Sequence, residues 1–258
     1  DMDQKITREI IQAYDDYTHL TLDRRGFVEK LTRLAGSGAA AAAIMPLLAS
    51  NYARAEVVPA DDPRLKIQEI TYPGPAGDVK GYLAMPAEAS GKLPAVIVVH
   101  ENRGLNPHIK DITRRVALDG FIALGIDLLS RQGGTPASDE AAAAMFQGID
   151  RAALVPDAVA AIAYLEGLPE SNGKVGAIGF CFGGGIVNQM AVASPDLVAG
   201  VAYYGGQPPV EDVPKIGATR LMLHYAGLDE RINAGIPAYE AALKDAGVDY
   251  TLYMYDGV

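Results

Sequence analysis

The chain's single cysteine, Cys181, sits where a nucleophile would sit. It lies in the run Lys174-Val175-Gly176-Ala177-Ile178-Gly179-Phe180-Cys181-Phe182-Gly183-Gly184-Gly185. The run begins as a short apolar strand and makes a Gly-x-Cys-x-Gly turn. It then continues at helical spacing through Ile186, Val187, Met190 and Val192. Strand, sharp turn and helix form the context of a nucleophile elbow. Glycines two before and two after the central residue let strand and helix approach closely. A thiol at a helix N-terminus is favoured as thiolate. The blander reading is a buried, inert thiol, and the flanking glycines weigh against it. Gly183 to Asn188 lacks the third glycine of a dinucleotide fingerprint, and no Gly-Lys-Ser/Thr follows.

A thiol nucleophile needs a base, an orienting acid and donors for an oxyanion. The acid is expected on the loop after the strand Arg220–Tyr225, in Ala226-Gly227-Leu228-Asp229-Glu230. Asp229 is the candidate and Glu230 its rival. The oxyanion donors are expected to be the backbone N–H groups of Phe182 and of Asn102, which follows Val98-Val99-His100-Glu101. Glu101 puts a carboxylate at the end of a central strand, beside the thiol. A charge there is costly unless it is used or paired, and the plainer reading pairs it with Arg103 or Arg131. His100-Glu101 is no zinc signature, because Gly104 stands where a second histidine should; neither metal nor other cofactor is expected. The histidines are His19, His100, His108 and His224, and none follows Asp229. The catalytic histidine is therefore expected beyond Val258.

These residues need a scaffold. From Glu56 onward, strand-like runs at 66–72, 79–85, 95–100, 121–127, 174–180, 200–204, 220–225 and 249–255 alternate with helical runs. The helices are expected near 107–118, 138–148, 157–165, 183–193 and 237–246. Ala95-Val96-Ile97-Val98-Val99 is a continuous apolar run, as in parallel strands covered on both faces. Two strands in succession, then strands separated by helices, predict an α/β-hydrolase fold: a mostly parallel central sheet flanked by helices. With 258 residues, 49% hydrophobic and 21% charged, the chain can bury a large core. Net charge is −10 and the pI about 4.8, which argues against nucleic acid and anionic membrane as partners. Acids and bases balance over residues 1–55, so the whole excess falls on residues 56–258. One cysteine means no internal disulfide.

The division expected is an N-terminal segment, 1–55, and a hydrolase domain, 56–258, truncated at its C-terminus. Ile6, Ile10, Tyr14 and Tyr17 mark a helix over residues 3–20. Then come Arg24-Arg25-Gly26-Phe27, an Ala/Gly-rich apolar tract from Leu34 to Ala49, and Ala53-Arg54-Ala55. This resembles a twin-arginine export signal with a cleavage site, and implies a periplasmic or exported protein. Asp23 stands where Ser or Thr is usual. The alternative is a helical hairpin on a cytoplasmic protein. The tract is too short and too weakly apolar to span a bilayer, so no stable membrane insertion is expected.

The cysteine elbow, Glu101 and the segment Asp127-Leu128-Leu129-Ser130-Arg131-Gln132 together resemble the dienelactone hydrolase family, over about residues 66–258. The resemblance implies that Cys181 is the nucleophile and Asp229 the acid. It implies that Glu101 holds the resting thiol and takes its proton when substrate arrives. It also implies that Arg131 binds a substrate carboxylate and that His224 is structural. The expected function is thiol-dependent hydrolysis of a small ester or lactone through a thioester. Two alternatives remain. One is an amidotransferase-like glutaminase, whose His-x-Glu pair is absent here. The other is a non-catalytic binding protein on a hydrolase scaffold.

Overall fold

The computed structural model describes residues 7–18, 22–48 and 56–258. The ends of the expected first helix, His19, Ala49 and the Ala53–Ala55 cleavage site lie outside these residues. The chain divides into two compact units, residues 1–56 and 57–258.

The first unit holds three short helices: α1 (Arg8–Thr18), α2 (Arg24–Ala35) and α3 (Gly38–Leu48). They bury Ile10, Ala13, Phe27, Leu31, Ala41 and Ile44 against one another. Asp23 caps α2, accepting a 2.7 Å bond from the Gly26 N–H, a satisfied helix start. Its departure from the usual Ser or Thr is thus a good cap in its own right. The Ala/Gly tract is divided, because Gly36 takes φ 81° and ends α2, a conformation that favours glycine. No helix among the described residues is long and apolar enough to cross a membrane.

The second unit is built on an eight-stranded sheet. Its strands are β1 (Leu65–Gly74), β2 (Gly77–Pro86), β3 (Leu93–Val99), β4 (Ile122–Ile126), β5 (Ser171–Phe180), β6 (Leu197–Tyr203), β7 (Arg220–Ala226) and β8 (Tyr250–Tyr255). They lie in the order β1-β2-β4-β3-β5-β6-β7-β8. The β1–β2 and β2–β4 pairs are antiparallel and the others parallel. All eight expected strands and all five expected helices of this unit are present, with ends displaced by a few residues. The displacements come from local caps, which periodicity does not report.

In β3, Ile97, Val98 and Val99 are all fully buried. Alternate residues point to opposite faces, so both faces are covered. Val98 packs with Tyr82, Ile109 and Phe180, beneath helix α4 (Pro107–Leu118). Ile97 and Val99 face the main core. That core includes residues of α5 (Asp139–Gln147), α6 (Val155–Glu166) and α7 (Phe182–Ala193). Farther along on the Phe180 face, the rings of Phe180, Tyr203, His224 and Tyr253 stack in succession, one strand to the next. Parallel strands run from core to edge in one sense, so the ends of β3, β5 and β7 gather on one rim.

Candidate active site

Cys181 sits between β5 and α7 with φ 53° and ψ −115°, a conformation costly for a residue with a side chain. Neighbouring backbone holds it there. Its N–H donates to the Tyr203 carbonyl at 3.0 Å, and its carbonyl accepts from Gly185 at 3.2 Å. The glycines explain why the turn can close. A Cβ on Gly179 would lie 2.2 Å from the Gly183 oxygen. One on Gly183 would lie 2.4 Å from the Val99 oxygen and 2.5 Å from that of His100. These obstacles are backbone and cannot swing away. The same closeness seats the elbow against the end of β3, so the segment starting at Glu101 adjoins the thiol. Cys181 is half-buried and stands at the N-terminus of a twelve-residue helix, whose dipole favours negative charge there.

Glu101 is half-buried. The cations offered as its plainer partners are engaged elsewhere. Arg103 pairs with Asp139 at 3.5 Å, and Arg131 pairs with Asp157. The groups that sense Glu101 are at the site. Burial raises the Tyr204 phenol above its ordinary value, and the charges of Glu101 and Cys181 add to the rise. The Tyr204 hydroxyl lies close enough to the Glu101 carboxylate to sense its charge. Thiol, carboxylate and phenol thus share one pocket. Tyr204 has φ 40°, a second strained non-glycine residue at this rim, and its N–H donates to the His224 carbonyl at 2.7 Å. Tyr204 is marked only faintly in the sequence. Its signal was the run Tyr203-Tyr204-Gly205-Gly206 at the end of the strand beside the elbow. Gly205 there admits no side chain, since a Cβ would lie 2.2 Å from the Gly184 carbonyl carbon.

Asp229 follows β7, as expected, and caps the one-turn helix α8 (Glu230–Asn233). Its Oδ1 accepts from the Ile232 N–H at 3.1 Å, and its Oδ2 lies 4.0 Å from the Arg231 guanidinium. The rival Glu230 is exposed. The adjacent Leu228 N–H donates to the Val258 carbonyl at 2.7 Å, so Val258 lies against the acid loop.

The described histidines are committed in other ways. His100 is fully buried, with Nε2 accepting from the Leu128 N–H at 3.1 Å and Nδ1 2.6 Å from the Glu101 carbonyl. His224 Nδ1 lies 2.9 Å from the Tyr255 hydroxyl, within hydrogen-bond distance. Its Nε2 is buried without a hydrogen-bond partner. Burial pushes both imidazoles below the usual histidine value. Neither holds the thiol. His108 lies in the first turn of α4.

Arg131, which the resemblance assigned to a substrate carboxylate, donates Nε and Nη2 to Asp157, both at 2.7 Å. The Asp157 carboxylate is only 2% exposed, so this is a bidentate clip between the segment after β4 and α6. Asp127, in the same motif, accepts from Leu129, from the Thr135 N–H and from the Thr135 hydroxyl. It ties the loop 127–135 into a closed turn. No cluster of metal-ligating side chains occurs among the described residues.

Known proteins share this chain's sequence pattern and fold. The model of the dienelactone hydrolase family matches residues 79–258. A proposed carboxymethylenebutenolidase of Synechocystis is 33% identical over 212 residues, covering 75% of this chain and 85% of that protein. A proposed hydrolase fragment of Escherichia coli, YghX, is 52% identical over 112 residues, or 43% of this chain and 96% of that one. The crystal structure of a proposed dienelactone hydrolase from Klebsiella pneumoniae superposes with a TM-score of 0.66 at 25% identity. It covers 74% of this chain and 87% of that one.

Proposed function

This chain belongs to the dienelactone hydrolase family, a family of α/β-fold hydrolases, and we propose that it cleaves small esters or lactones with Cys181 as a covalent nucleophile. The observation that carries the reading is the strained Cys181 backbone on its glycine collar, with Glu101 and Tyr204 in the same pocket. A backbone strain of this kind persists only where the surroundings over-determine it, and it clusters at working sites.

In this mechanism Glu101 accepts the thiol proton as substrate displaces it from the resting contact. Sγ then adds to the substrate carbonyl carbon. The developing oxyanion is held by the N–H groups of Phe182 and Asn102, aided by the α7 dipole. Collapse breaks the C–O bond, and the leaving oxygen takes the proton that Glu101 had accepted, leaving a thioester. Water adds to the thioester carbonyl, the thiolate departs, and the acid product is released. Deacylation needs a base oriented by Asp229. The twin-arginine-type signal, and the export it would direct, stay a proposal of the sequence.

The test is the release of p-nitrophenol from p-nitrophenyl acetate, with Cys181→Ala as control. Losing the covalent step should abolish the burst and leave the fold intact. A folded Cys181→Ala protein that keeps most of the parent's release would make Cys181 a structural thiol. Release of ammonia from glutamine with no esterase burst would favour the amidotransferase alternative.

A further inference from the structure

We propose that His100, buried and silent as a base, is the positioning residue that aims one of the two oxyanion donors. The reasoning starts from its tautomer. The Leu128 N–H can only donate, so Nε2, 3.1 Å away, must accept. The ring proton therefore resides on Nδ1, which donates to the Glu101 carbonyl 2.6 Å away. That carbonyl belongs to the peptide whose N–H is that of Asn102. A trans peptide is planar and its C=O and N–H point in opposite directions, and the described chain has no cis bonds. Drawing the oxygen inward to the buried imidazole turns the Asn102 N–H outward, toward the pocket holding Cys181. The turn's own bond to that oxygen, from the Gly104 N–H, is long at 3.4 Å. The imidazole therefore supplies the shorter hold.

The rest of the ring's environment keeps this lever stiff. His100 has no exposure, and its ring packs against Phe146 and Phe182, at 5.5 and 6.2 Å between centroids. Phe182 carries the other oxyanion N–H, so the two donors are braced by one aromatic cluster. Burial keeps the ring neutral, which preserves both its acceptor and its donor at working pH. A flipped peptide would present the Glu101 carbonyl to the oxyanion instead, replacing attraction with repulsion.

The proposal rests on the hydrolase reading above, and the experiment separates the two. The readout is the single-turnover acylation rate with p-nitrophenyl acetate, alongside thermal unfolding. An asparagine places its amide near the Nδ1 position, and a glutamine reaches the Nε2 position. His100→Asn should keep the donor to Glu101 and lose the strut to Leu128. It should acylate within about tenfold of the parent while melting lower. His100→Gln should keep the strut and lose the donor. It should remain folded yet acylate roughly 10²–10³-fold more slowly, the usual cost of one oxyanion donor. Its effect should fall on the rate constant, with substrate KM little changed. If the two variants lose acylation in proportion to their melting temperatures, the role is structural and the proposal fails. If His100→Gln acylates at the parent rate, it also fails. If the parent itself gives no Cys181-dependent burst, the hydrolase reading fails instead.

Discussion

Replacing Arg131 by alanine separates a structural clip from a substrate grip. The guanidinium makes two 2.7 Å bonds to Asp157, whose carboxylate is 2% exposed while the arginine side chain is 28% exposed. Removing one partner of a buried pair costs about 3–5 kcal/mol, because the other charge is left buried. Here solvent reaches the arginine side, so water can enter beside Asp157 and the figure falls to roughly 2–3 kcal/mol. For a domain of this size each kcal/mol moves the melting temperature by about 2–4 °C. The expected drop is then about 5–10 °C by calorimetry. The double variant Arg131→Met with Asp157→Asn removes both charges and should recover most of it. Turnover of neutral and acidic esters should fall together, by the fraction unfolded. A melting temperature within about 1 °C of the parent, with kcat/KM reduced about 30–150-fold on carboxylate-bearing esters alone, would refute the clip. It would restore Arg131 as the substrate-binding residue.

Gly183→Ala should nearly abolish activity and lower stability, because the new Cβ meets two backbone oxygens at 2.4–2.5 Å; a soluble, active variant in an esterase assay would contradict the packing described. Tyr204→Phe should slow acylation several-fold by removing the hydroxyl beside Glu101, and unchanged single-turnover rates would place that hydroxyl outside the reaction. Stability should decline above about pH 10. Burial raises the phenols of Tyr72, Tyr225 and Tyr239, so the unfolded chain loses protons there that the folded chain keeps, at about 1.4 kcal/mol per pH unit for each. Urea unfolding at pH 9 and pH 11 reads this, and equal midpoints would count against it. On the acid side the sign reverses: His100 and His224 are lowered by burial, so their contribution is full above about pH 6.5 and is lost as pH falls below it.

The scaffold was legible in the sequence because its signals are local. Continuous apolar runs such as Ala95–Val99 announce parallel strands, and a glycine pair around one residue announces an elbow. Both depend on neighbours a few positions away. Cys181 and Asp229 stand out in the sequence as candidates because each follows a predictable strand end. Features set by distant partners were not legible. Arg131 and Asp157 are 26 positions apart, so the carboxylate that holds this arginine is not announced by the motif around it. The division of the Ala/Gly tract at Gly36 was likewise hidden, since composition alone does not say which glycine takes a positive φ.

His100 marks the same boundary from the chemical side. As a letter it is one of four histidines, none of which follows Asp229, where the base is expected. That exclusion holds for proton transfer, because both ring nitrogens are committed to backbone groups. It does not hold for positioning. A ring sealed from solvent and held at both nitrogens is also held against rotation, and rigidity is what an oxyanion donor needs, since preorganised dipoles stabilise charge without reorganising when it appears. The same burial that removes His100 from the list of bases suits it to fix a peptide. On this proposal the site divides its work between residues near the thiol, Cys181, Glu101 and Tyr204, and one that never meets the substrate. An assay that reads only loss of activity would confuse the two kinds. The Asn and Gln variants of His100 distinguish them, because each keeps one ring nitrogen's bond and gives up the other's.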